Sequence, residues 1–205
     1  KVLDNLSLKL DKHCNVGLIG PSGSGKSTLL NLIGLLENPT SGRININNFD
    51  CENLNLEEKN KFRKNNIGFI FQNNQLLEDF TCVENVALPL ILNGISYKKS
   101  IFKAQELLID LGLESRMKIK PSLLSGGEQQ RVAVLRALIK KPLIILADEP
   151  TGSLDDFNAN NVFKQIINLS KKQKTTTITA THNIELLAYF DVCYKIEKGK
   201  LIEYK

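Results

Sequence analysis

The segment GPSGSGKST, Gly20 to Thr28, carries glycines, a lysine and hydroxyl residues in the spacing G-x-x-x-x-G-K-[ST]. A buried-strand pattern precedes it and a helical pattern follows, the context in which such a loop holds phosphate. Its glycines let backbone N–H groups converge on phosphate oxygens, and the helix start adds about half a positive charge. Lys26 is placed to hold β- and γ-phosphates, and Ser27 to ligate Mg²⁺. Gly20, Pro21, Ser22, Gly23, Ser24, Gly25, Lys26, Ser27 and Thr28 are therefore candidate nucleotide-binding residues.

Three further features could act on a bound phosphate. LIILADEP, Leu143 to Pro150, ends an apolar run in two adjacent carboxylates. Where a strand breaks away both acids can face one loop, so Asp148 is a candidate Mg²⁺ ligand and Glu149 a candidate base for the attacking water. A solvated acid pair is common at strand ends; the phosphate loop gives this pair its chemical reading. Gln72 closes the run IGFIFQ with an amide that could touch Mg²⁺ or the water. His182 ends TTTITAT, where parallel strands present ligand-facing residues, and a neutral imidazole there could hydrogen-bond a γ-phosphate. Asp155, in SLDD, reads most simply as a helix cap.

LLSGGEQQR, Leu123 to Arg131, raises a separate question. Ser125 should cap a helix whose first N–H groups could bind an anion, with Gly126 and Gly127 in the first turn, but no lysine stands beside it. An ordinary capped helix start would look the same.

The elements that must position these residues alternate as in a parallel α/β sheet. Strands are expected at Asn15–Gly20, Gly42–Asn47, Ile67–Gln72, Pro142–Pro150 and Thr175–Thr181. A terminal hairpin should turn at Lys198-Gly199. Between about Asn73 and Lys141 the pattern is helical with little strand signal. The division expected is one nucleotide-binding domain over 1–205, its core built from 1–72 and 142–205 and a helical subdomain from 73–141.

Composition narrows the class. With 205 residues, 42% of them hydrophobic, 6% aromatic and no Trp, one substantial aliphatic core is expected. The densest apolar run, VALPLIL, falls well short of the roughly 20 residues of a spanning helix. The sequence opens Lys-Val-Leu-Asp, without Met or a cationic-then-apolar leader, which fits a trimmed chain better than a secreted precursor. Four dispersed cysteines form no C-x-x-C pair, against zinc or a disulfide framework and in favour of reduced thiols in a cytosol. The net charge of +5 is spread and never interleaved with aromatics, so no nucleic-acid partner is expected.

Taken in order, the phosphate loop, Gln72, LSGGEQQR, LIILADEP, SLD and His182 resemble the nucleotide-binding subunit of ABC (ATP-binding cassette) transporters over essentially the whole chain. The resemblance implies the P-loop NTPase ABC ATPase fold, α/β, with a mostly parallel core sheet, an N-terminal antiparallel β portion that is truncated here, and a helical subdomain. It implies ATP and Mg²⁺ as cofactors and ATP hydrolysis as the activity. It also implies a homodimer of cassettes, paired head to tail, in which Ser125, Gly126 and Gly127 of one copy close on the γ-phosphate held by the other. Asp155 would help connect the two sites.

Finer similarity in GFIFQNNQLLEDFTCVENVALPL and KPSLLSGGEQQRVAVLRAL is to the branch containing the ATPase of the bacterial lipoprotein-releasing complex. That likeness implies LolC/LolE-like integral subunits as partners, membrane contact only through them, and a peripheral place on the cytoplasmic side of the inner membrane. Leu76, Leu77 and Phe80 are candidates for contacting such a subunit. MacB-type export and FtsE-type cell-division ATPases share most of the pattern and stay open. A P-loop kinase leaves LSGGEQQR unexplained, and cassettes of DNA repair or translation carry a second cassette or long coiled coil not seen in this sequence. Two departures stand out: no aromatic precedes Gly20 to stack an adenine, and Asn183 follows His182 where an acid is frequent.

Overall fold

A computed structural model describes residues 2–204; Lys1 and Lys205, the outermost residues of the expected domain, lie outside the described residues. The apolar run Asn15–Ile19 forms β1, fully buried, and feeds the glycine-rich loop and then helix α1, Lys26–Ile33. A two-residue antiparallel pair follows, β2 (Asn45–Ile46) and β3 (Phe49–Asp50), its turn at Asn47 and Asn48, both with positive φ. Asparagine tolerates that left-handed backbone better than most residues. Helix α2 (Leu56–Asn66) starts in a capping box of Asn55 and Glu58 and leads into β4 (Ile67–Ile70).

Three helices come next: α3 (Cys82–Leu92), α4 (Tyr97–Asp110) and α5 (Gly126–Leu138). The chain then returns to the sheet with β5 (Ile144–Asp148), α6 (Asp156–Gln173), β6 (Thr176–Ala180), β7 (Val192–Glu197) and β8 (Lys200–Glu203).

The main sheet has the order β4-β5-β6-β1-β7-β8. Neighbours from β4 through β7 are parallel, and only β7–β8, the hairpin turning at Lys198-Gly199, is antiparallel. Because the five strands run the same way, the loops after β1, β4, β5 and β6 emerge along one edge. Those loops hold every strand-end candidate. The register is tight there, with Asp148 opposite Ala180 and Ala180 opposite Leu18.

Two apolar clusters sandwich the sheet. One, around Val16, Leu18, Leu29, Leu30, Leu146 and Ile178, joins it to α1. The other, around Ile145, Ala147, Phe163, Ile166 and Phe190, joins it to α6. A third cluster belongs to α3, α4 and α5, through Val86, Ala87, Ala104, Leu108, Val132 and Leu135. Burying a side chain of the Leu or Ile class contributes roughly 1.5–3 kcal/mol, so each cluster makes a cohesive unit.

The structure differs from expectation in some boundaries. β2 is shorter than the run Gly42–Asn47 suggests: only Asn45 and Ile46 pair with β3, and Ile44 adds a carbonyl that accepts from Cys51 N–H at 2.9 Å. β4 stops at Ile70, leaving Gln72 two residues beyond the strand. In keeping with the truncated β portion expected, residues 2–14 contain no strand, and the antiparallel parts of the described chain are β2–β3 and β7–β8.

Candidate nucleotide site

The loop after β1 is shaped by its glycines. Gly20, Gly23 and Gly25 have φ of 151°, 76° and 105°. A Cβ on Gly20 would stand 2.8 Å from both the Ile196 carbonyl and Ser24 Oγ, so a side chain there would displace backbone. Lys26 is 8% exposed, and its Nζ donates to the carbonyls of Gly20 (2.8 Å) and Pro21 (3.1 Å). The ammonium is thus held inside the loop that it closes. Gly25 caps α1 without a side-chain acceptor, which leaves the first N–H groups of the helix for an outside anion. Ser27 is exposed at the second helical position.

Asp148 ends β5, and Glu149 follows with φ +44°, its N–H donating to Ala180 O at 2.9 Å. This left-handed step turns Glu149 out of the strand alternation. A non-glycine residue there costs roughly 1 kcal/mol or more, a strain met mostly at functional positions. Glu149 Oε1 lies 2.9 Å from His182 Nδ1; the carboxylate side chain is 16% exposed and the imidazole 70%. Gln72 approaches from β4's end: a Cβ on Gly152 would be 3.2 Å from Gln72 Nε2 and 3.5 Å from Glu149 Cβ. Glu149, His182 and Gln72 therefore gather where the parallel strands end, beside the loop from Gly20 to Thr28.

No cluster of three or more His, Cys, Asp or Glu suited to a metal exists among the described residues. The donors expected for Mg²⁺ are a hydroxyl (Ser27), an amide (Gln72) and one carboxylate (Asp148). Such sparse oxygen ligands suit Mg²⁺, which keeps waters and takes the rest of its shell from substrate phosphates.

The glycine corner at Ser125 is built differently. Ser125 Oγ accepts from Glu128 N–H at 3.3 Å, and Glu128 Oε2 accepts from Ser125 N–H at 2.8 Å, a complete capping box. Ser125 and Gly126 are exposed. The neighbours of this corner are Leu154 and Asn158, not Lys26: a Cβ on Gly126 would meet Leu154 Cδ2 at 3.4 Å, and one on Gly127 would meet Asn158 Oδ1 at 3.8 Å. Gly126, Gln129, Gln72 and Ser153 line one cleft of about 370 Å³. Asp155 caps α6, accepting from Asn158 N–H (3.0 Å) and Nδ2 (2.6 Å), and these bonds hold its carboxyl below the usual range. Leu77 and Phe80 are exposed, whereas Leu76 packs on the helical cluster.

Several contacts around the site have little sequence signal. Arg136 donates to the carbonyls of Gln75 (2.7 Å) and Asn74 (2.8 Å), Gln130 to Phe71 O (3.4 Å), and Gln129 Oε1 accepts from Asn74 Nδ2 (2.9 Å). Helix α5 thus holds the segment that carries Gln72. Asn85, fully buried, accepts from Leu77 N–H and donates to the carbonyls of Leu77, Phe80 and Thr81. The Ser-x-x-Glu spacing of the capping box was a readable cue; the contacts from Arg136, Gln130 and Gln129 to residues 71–75 join segments far apart in sequence.

The ABC transporter family model matches residues 3–152, the span from the chain's start past the two carboxylates. The chain belongs to the ABC transporter family. Among curated proteins, this ABC chain is 47% identical over 201 residues to a lipoprotein-releasing system ATP-binding protein LolD from Rickettsia typhi, covering 98% of this chain and 89% of that one. It is 43% identical to a protein of the same name from Nitrobacter winogradskyi, covering 98% and 87%. Among solved structures it superposes on a dimeric post-hydrolysis state of the ATP-binding cassette MJ0796, bound to ADP and Pi. The TM-score is 0.90 at 38% identity, covering 100% of this chain and 90% of that one. None of the ABC chain's described helices is long and apolar enough to cross a membrane.

Proposed function

We propose that this chain is the ATP-binding and hydrolysing subunit of a lipoprotein-releasing ABC transporter, working as a head-to-tail pair of identical cassettes. The observation that carries the reading is the separation of two half-sites. One has a lysine, a phosphate loop and a carboxylate–imidazole pair; the other is an exposed, capped glycine corner without a lysine, its nearest neighbours being its own chain's Leu154 and Asn158. Exposed apolar side chains lie beside both halves: Leu123 next to the corner, and Phe157 and Ile184 past the carboxylates. Large exposed apolar residues in such places suit a surface that closes against another.

In this reading Gly20 to Thr28 bind the phosphates, with Lys26 on the β- and γ-groups. Ser27, Asp148 and Gln72 hold Mg²⁺, which supplies charge neutralisation when bound. Glu149 takes the proton from the attacking water, and His182 orients the carboxylate it touches. Ser125, Gly126 and Gly127 of the partner copy complete the γ-phosphate site, and Asp155 links the two sites across the pair. The core of residues 1–72 and 142–205 holds nucleotide, while the helical subdomain of 73–141 moves with closure. Arg136, Gln129 and Gln130 tie that movement to Gln72. Leu77 and Phe80 then face LolC/LolE-like subunits at the cytoplasmic side of the inner membrane, and the chain itself contacts the membrane only through them.

The names of the LolD relatives supply the lipoprotein cargo. Affinity purification of the chain from membranes should bring an integral subunit pair with it, and the complex should release a lipoprotein from proteoliposomes only with Mg-ATP. Co-purification of an efflux or cell-division subunit instead, or release that does not need nucleotide, would overturn the assignment.

A further inference from the structure

We propose that Arg116 is a positioning residue for the Ser125 corner: it neutralises and orients Glu128, so that the corner can approach a partner-bound triphosphate. The proposal rests on the head-to-tail pairing above and goes beyond it to a residue outside every motif.

The capping box creates an electrostatic conflict. Glu128 fixes the Ser125 backbone through Oε2, yet it is a carboxylate within one helical turn of a surface meant to face phosphate. Its acidity is strengthened first by Arg116 and then by the Ser125 N–H, so it is ionised wherever nucleotide would bind. The other oxygen, Oε1, is met by Arg116 Nε at 2.8 Å. Both carboxylate oxygens are thus engaged, and the corner presents N–H groups and the Ser125 hydroxyl without an uncompensated negative charge. Ser125 Oγ accepts from Glu128 N–H, which leaves its own hydrogen to donate.

Arg116 comes from a fixed backbone. Its N–H bonds Leu113 O at 3.0 Å, and the residues after it are held by the start of α3. Val83 N–H donates to Met117 O (3.0 Å) and Cys82 N–H to Ile119 O (2.9 Å). Stability does not explain the pair. Arg116 is 47% exposed and Glu128 16%, and partly exposed ion pairs contribute little to folding. Its physical consequence lies in the charge beside the corner.

The test uses the full chain carrying E149Q, the variant expected to accumulate an ATP-bound pair. The ATP concentration for half-maximal dimerisation, read by size exclusion with light scattering, should rise about ten-fold with Arg116→Ala. In an E128Q background, which keeps an acceptor for Ser125 N–H but removes the charge, Arg116→Ala should change that concentration by less than about two-fold. Arg116→Lys should fall between. Binding of a fluorescent ATP analogue to monomer should be the same in all variants, because the phosphate loop is untouched. An unchanged dimerisation curve in Arg116→Ala overturns the proposal, as does an equal loss with and without E128Q. So does loss of cooperative thermal unfolding in both Arg116→Ala and Arg116→Gln, which would make Arg116 structural. Failure of the E149Q parent to pair overturns the head-to-tail reading itself, and this proposal falls with it.

Discussion

His182 Nδ1 lies 2.9 Å from Glu149 Oε1, although 33 residues separate them in the chain. They meet because β5 and β6 are parallel neighbours with Asp148 opposite Ala180, so each residue lies just past the last paired position of its strand. The left-handed φ of Glu149 then swings the carboxylate toward the imidazole. In the proposed function this carboxylate is the base that takes the water's proton, and the imidazole orients it.

Glu149→Gln keeps the shape of that site and removes its basicity. ATP binding should persist while turnover falls by about 100-fold or more. Size exclusion with Mg-ATP should show the variant as a dimer; a variant that stays monomeric with ATP bound would contradict the paired mechanism.

Ser125→Arg places a bulky side chain on the exposed corner without touching Lys26. Hydrolysis should drop by about ten-fold or more, with monomer affinity for nucleotide nearly unchanged. Equal losses in both measurements would mean that the corner serves the site of its own chain.

Asn85→Ala removes a buried amide whose Oδ1 accepts from Leu77 N–H and whose two Nδ2 hydrogens are shared among the carbonyls of Leu77, Phe80 and Thr81. The backbone groups left behind are costly to bury unpaired, so urea denaturation should show a loss of roughly 2–4 kcal/mol. Because Leu77 and Phe80 lie in that segment, limited proteolysis should cut there first.

Lys140 gives a stability effect with a definite sign. Its Nζ donates to the carbonyls of Arg63 (3.0 Å) and Lys64 (2.7 Å) at the end of α2, and burial pushes it down to about 8 from 10.5. Between those two values the unfolded chain binds more protons than the folded one, so this group makes stability rise with pH. Below about pH 8 both states are protonated and the dependence vanishes. The difference in urea midpoint between the wild type and Lys140→Met should grow in favour of the wild type from about pH 8 to 10.5. A flat difference would show that the ammonium is not desolvated.

Much of the site was legible in the chain because its chemistry is local. The spacing from Gly20 to Thr28 forces a loop and helix start whatever surrounds it, and Ser125 with Glu128 three residues on announces a cap. The alternation of apolar runs and helical patterns likewise dictates a parallel sheet, since parallel strands need crossovers. The sequence alone therefore determined the class of fold and marked the candidate phosphate loop and carboxylate pair.

Tertiary structure decided which distant groups meet. No spacing rule joins Glu149 to His182, Arg116 to Glu128, or Arg136 to the carbonyls of Asn74 and Gln75; strand order and helix packing do. It also set which neighbours the Ser125 corner has, Leu154 and Asn158. The physical reason is the range of the forces. Backbone preference and capping act within one turn, whereas ion pairs and hydrogen bonds between elements exist only once the sheet has fixed where those elements end.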